Sequence, residues 1–180
     1  MKMHGLVLRG LIIAAIAGPL MWLVFTDDGQ RRADVLLLRL LGNPSVALNM
    51  SALSNAVKEQ DLRAAMPDIG LDCHAQPSEY GNRVCVAAIS AFNGIPARYL
   101  TFFLAEDRLG ALKLAYQRSY HRQLINAIQA EHGAPLNSGE VPQPDQPAVL
   151  RWHVGGGVLV TLDDRVELDE EPALMWVAGR

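Results

Sequence analysis

Catalytic signatures are what this sequence lacks. None of its serines sits in a G-x-S-x-G setting, so a hydrolase with a nucleophile elbow has no candidate residue. There is no C-x2-C pair, and the only cysteines, Cys73 and Cys85, have eleven residues between them, outside the spacing of a zinc ligand set. Gly155, Gly156 and Gly157 run into valine and leucine, not into a helix opened by Lys with Ser or Thr, which excludes a phosphate loop. The acidic residues from Asp163 to Glu171 lack the spacing and the internal glycine of an EF-hand. A formal net charge of -3 without a basic cluster excludes a nucleic-acid footprint. No metal and no cofactor is expected.

What the chain has instead is an apolar run near its start. Gly5 to Phe25 contains one charge, Arg9, near the N-terminal end, where a long side chain can snorkel. Twenty-one helical residues rise about 31 Å, against a hydrocarbon core of about 30 Å, so the run predicts a transmembrane signal-anchor. Ala15-Ile16-Ala17 has the form of a cleavage site, but Leu20 to Phe25 continue the apolar character beyond it. A lipoprotein is excluded, because no cysteine follows the run for acylation. Within the run, Gly10, Ala14 and Gly18 recur every four residues and would give one helix face a smooth strip for packing on another membrane helix.

The even pair of cysteines favours an oxidising compartment, with Cys73 and Cys85 bridged across a loop. The expected location is therefore the inner membrane, single-pass, with the C-terminal domain in a periplasm or an equivalent exported space. Expected divisions are an anchor over 1–26, a juxtamembrane helix within 27–44, and one exported domain over 45–180.

Periodicity organises that domain. Arg31 to Leu41 is helix-compatible and stops at Gly42 and Pro44, and a helix from Ser54 to Met66 stops at Pro67. Ser45 to Leu53 reads as a strand. Apolar alternation then marks strands through Val84–Ile89, Tyr99–Leu104 and Leu112–Tyr116, with Asn93-Gly94 as a hairpin signal. Tyr120 to His132 has one apolar face and ends at Gly133 and Pro135, the main helix of the domain. Strands resume at Val149–Val154, Val158–Leu162 and Ala173–Val177. The predicted class is α+β: a transmembrane helix, then an antiparallel sheet with the main helix crossing one face.

His121 and His132 read as surface or capping residues, too far apart along their helix to share a metal. Tyr99, Thr101 and Phe103 alternate with the residues assigned to the core, and Arg151 and His153 do the same on a later strand, so these five form a candidate contact surface. The expected function is a membrane-anchored, non-enzymatic envelope module. Its expected partner is another envelope protein, or a second copy held through the membrane helix. The alternative is a small envelope hydrolase that pairs His153 with an acidic residue of 163–171.

Overall fold

The computed structural model describes residues 15, 17–19, 21–40, 42–136, 148–163 and 171–179. Its first named helix, α1, spans Asp27–Leu40. A short strand β1 (Ser45–Val46), a 3-10 turn (Met50–Ala52) and helix α2 (Glu59–Ala65) follow. Five strands come next: β2 (Asp72–Ser78), β3 (Gly81–Ala88), β4 (Ala91–Phe92), β5 (Ile95–Ala105) and β6 (Arg108–Tyr116). A second 3-10 turn (Arg118–Tyr120) leads into α3 (His121–His132), and β7 (Val149–Val154), β8 (Gly157–Leu162) and β9 (Ala173–Ala178) complete the chain.

The expected transmembrane helix is corrected. Among the described residues no helix is long and apolar enough to cross a membrane. Residues 17–19 and 21–25 are helical, and the chain bends at Thr26. There the Thr26 hydroxyl donates to the Trp22 carbonyl at 2.7 Å and accepts the Gly29 amide at 3.0 Å, so it serves as the cap of a new helix. The continuation, α1, begins beyond the expected span and has six charged residues in fourteen, while residues 5–14, 16 and 20 of that span lie outside the described residues. Gly10 and Ala14 of the expected packing strip lie outside the described residues. Gly18 is exposed, with open space around its Cα.

The sheet is also not wholly antiparallel. The order β2-β3-β5-β6-β9-β8-β7 is antiparallel throughout, but β1 pairs in parallel with β4, and β4 in turn pairs with β5. The reason is that β3 and β4 both pair with β5, one after the other along its length, and β4 leaves an edge that β1 fills. Asn93 and Gly94 join β4 to β5 with φ of 47° and 79°, the left-handed pair that a tight primed turn demands.

Two local expectations shift as well. The region Ser45–Leu53 is a strand only at its start, because the Asn49 side chain accepts the Ser51 amide at 3.0 Å and begins the 3-10 turn. Helix α2 starts at Glu59 rather than after Ser54, since the Asp61 carboxylate accepts the Lys58 amide at 2.9 Å and fixes the first turn there.

One face of the sheet is buried. Cys85, Ala87, Leu100, Phe102, Leu112, Leu114, Leu159, Leu174, Trp152 and Trp176 line it, each at most 1% exposed. Leu62 of α2, Met50 of the first turn, Tyr120 of the second, and Leu124 and Ile128 of α3 pack onto them as one cluster. Both core indoles are satisfied: Trp152 donates to the Gly133 carbonyl at 3.0 Å and Trp176 to the Val154 carbonyl at 2.9 Å. Gly155 and Gly156 turn β7 into β8 directly beneath the first 3-10 turn. Gly155 has φ of 58°, and a Cβ there would lie 2.5 Å from the Leu53 carbonyl oxygen, which accepts the Gly156 amide at 2.7 Å. Close backbone approach explains this glycine run.

Candidate functional site

Strand parity puts Tyr99, Thr101, Phe103, Arg151 and His153 on the other face of the sheet. Registers place them in three rows. One runs Val86, Thr101, Lys113, Met175, Val160, Arg151; the next runs Val84, Phe103, Ala111, Val177, Val158, His153; the third holds Ala88, Tyr99, Ala115 and Ala173. Asp72 extends the first row and His74 the second, at the β2 edge. Most of these side chains are partly exposed, and Tyr99 is 50% exposed, whereas the opposite face is sealed. Tyr80 sets its ring edge against Phe103 at 5.6 Å between centroids. The face is thus apolar across its middle strands and polar at its margins. It resembles a domain core lacking its second layer.

Lys113 is the exception in that middle. It sits on the central strand β6 between Thr101 and Met175, exposed, and among the described residues it makes no ion pair. In the sequence Lys113 stands between Leu112 and Leu114 of the alternating run. Its signal is a single lysine at an alternating position of an otherwise apolar run, Leu109 to Tyr116.

His153 lies at the β7 edge of this face, exposed, and among the described residues its ring has neither a hydrogen bond nor an ion pair. Residues 164–170, which hold most of the proposed acidic partners, lie outside the described residues. Of the two described acidic residues of 163–171, Glu171 pairs with Arg98, and Asp163 lies at the Val149 end of β7, the end away from His153.

His121 is not a surface residue. It is 5% exposed, with its ring parallel to that of Tyr116 at a centroid distance of 5.9 Å. The Asp163 carbonyl, 2.8 Å from Nε2, can only accept, so Nε2 carries the proton and Nδ1 accepts the Tyr116 hydroxyl at 2.6 Å. Thr161 donates its own proton to the Ala173 carbonyl at 3.0 Å. Burial pushes the Tyr116 phenol up to about 12, with the neighbouring Thr161 hydroxyl offsetting part of the effect. His121 borders a depression of about 250 Å³ whose walls include Val149, Val160, Leu162, Ala173 and Met175. With both ring nitrogens occupied, His121 offers a molecule in that depression neither a base nor a proton. The cluster ties α3 to β6 and β8.

Cys73 and Cys85 are register partners on β2 and β3 and form a disulfide, with sulfurs 2.02 Å apart. The bridge crosses a β-hairpin rather than closing a loop, because residues 72–78 are a strand. Arg63 Nη2 stands 3.1 Å from Cys73 Sγ, and Glu59 accepts from Arg63 at 2.8 Å and from Arg83 at 2.7 Å. These contacts, Arg83 foremost and against a desolvation penalty, hold the Glu59 carboxyl below its ordinary range. Glu59 and the two sulfurs approach one another as metal ligands do, but bridged sulfurs have no thiolate to offer a metal.

No protein-family model, curated protein or solved structure matches this chain.

Proposed function

We propose that this chain is a non-enzymatic binding domain of an exported, oxidising compartment, and that the open face of its sheet docks a polypeptide with an apolar, acidic surface. The observation that carries the reading is Lys113, an exposed cation with no ion pair among the described residues, in the centre of a sheet face whose neighbouring strands present Phe103, Ala111, Met175, Val158, Val160 and Val177. The apolar side chains supply area, and a carboxylate opposite Lys113 supplies register and selects against cationic surfaces. A second copy is a poor occupant. Stacked on a two-fold axis along β6, it would set Lys113 against its own image. The disulfide supports the compartment, because reducing cytosol keeps such pairs open.

The test is zero-length carbodiimide cross-linking in the native compartment, read by mass spectrometry. The expected product joins Lys113 to an Asp or Glu of one other polypeptide, and a Met175→Asp variant with an intact disulfide loses it. Cross-links from Lys113 that scatter over many proteins, or that survive Met175→Asp unchanged, would overturn the proposal.

A further inference from the structure

Exposed large hydrophobic side chains concentrate in a single stretch of the chain. Phe25 is 74% exposed, Leu36 and Leu37 are each 60%, and Leu40 is 77%. At about 100° per residue, Leu36, Leu40 and Leu37 fan over a strip of α1 roughly 100° wide. Beyond the Leu37 border of the strip α1 meets the domain, where Asp34 accepts the hydroxyl of the buried Tyr120. Leu36 borders a depression that it shares with Gly94 of the β4–β5 turn, and all three leucines of the strip stay exposed.

The charges beside it state what it suits. Arg32 and Arg39 border the strip on its Leu36 side and are exposed, and Arg39 makes no ion pair among the described residues. The described acids of α1 are turned inward or engaged, Asp34 on Tyr120 and Asp28 with Arg31 and Arg32. Arg31, ahead of Arg32, holds the Asp28 carboxyl below its ordinary range. The Arg32 guanidinium lies over the Trp22 ring at 5.6 Å, which places a cation and an amphipathic indole at one level. Leucines on a strip, arginines along its border and a tryptophan at the same level match a bilayer surface bearing anionic headgroups, with the helix lying in the interface rather than crossing it.

We infer that α1 seats this domain on an anionic lipid surface, with Leu36, Leu37 and Leu40 in the acyl boundary and Arg32 and Arg39 among the phosphates. The inference is independent of the sheet-face proposal, since none of these residues lies on the sheet.

The sequence ahead of α1 is itself apolar, so vesicle binding of the chain does not by itself identify α1. The experiment uses the full oxidised chain with Leu40→Trp as probe in a Trp22→Phe background, because Trp152 and Trp176 are buried. Vesicles of phosphatidylglycerol or of phosphatidylcholine, each with brominated acyl chains, serve as quenchers. Probe quenching on phosphatidylglycerol is expected, with Arg39→Gln weakening vesicle affinity by about fivefold at low salt. Leu36→Gln combined with Leu37→Gln should abolish quenching while near-ultraviolet dichroism is unchanged. A vesicle-bound chain with an unquenched probe overturns the inference. So does equal affinity for the two lipids, or burial of the probe on self-association without lipid.

Discussion

Tyr116 and His121 are five residues apart in sequence, and their contact crosses the end of a strand and a 3-10 turn. Alternation along Leu112, Leu114 and Tyr116 is enough to point the phenol ring inward. It says nothing about where the hydroxyl finds a partner, which is why His121 reads from sequence as a helix-start surface residue. The buried phenol has a consequence in alkali. Its ordinary value is 10 and folding raises it to about 12, so between these limits the folded state keeps a proton that the unfolded state has lost. Stability due to this group is complete below pH 10 and falls as pH rises toward 12, by about 1–3 kcal/mol over the window. Tyr120 is shifted in the same direction, by burial and by Asp34, and adds to the slope. Urea unfolding across that range should show the decline, and Tyr116→Phe should flatten it. Tyr116→Phe also leaves His121 Nδ1 unpaired, at a neutral-pH cost of about 1–3 kcal/mol. An equally steep decline in the variant would assign the effect to other groups.

At the scale of elements, strands with clean alternation were legible. β3, β5 and β6 follow the period of two read from Val84 to Tyr116, and α3 follows its apolar face and closing glycine. The elements that escaped are those set by single side chain to backbone hydrogen bonds or by pairing with a neighbouring strand. Strand β2 contains Pro77 and polar neighbours and reads as a loop, yet pairing with β3 makes it an edge strand, where proline and exposed polar groups are tolerated. Asp61 and Asn49 moved two element starts through single hydrogen bonds that no periodicity encodes. The parallel β1–β4 pair involves two residues of each strand, too few for a pattern. The hairpin of β2 and β3 is held as an element by the Cys73–Cys85 bridge and by Glu59 reaching Arg83 from α2. Replacing both cysteines by serine should therefore lower unfolding free energy by about 2–4 kcal/mol in chemical denaturation. Hydrogen exchange should locate the largest gain in β2 amides. Unchanged stability would mean that strand pairing alone secures the hairpin.

For the molecule as a whole, the α+β class follows from the order of elements, but the role of the first forty residues does not. Apolar length predicted a spanning helix over 5–25, whereas among the described residues no helix is long and apolar enough to cross a membrane, and past a bend at Thr26 the chain continues as a charged, amphipathic α1. The two faces of the sheet were separable by parity, and which one the helices cover was not, because both faces are largely apolar. Leu62, Leu124 and Ile128 settle it by packing on the Phe102–Leu112–Trp176 side. What is left is a broad sheet face with Lys113 at its centre, and the proposed function requires that face to be covered where the protein works. Met175, next to Lys113 and partly exposed, is an oxidisable sentinel there. Hydroxyl-radical footprinting should oxidise Met175 readily in the purified chain and several-fold less in its native compartment, with Met50 and Met66 of the core protected in both. Equal oxidation of Met175 in the two settings would contradict the account, because it would leave the open face without a partner.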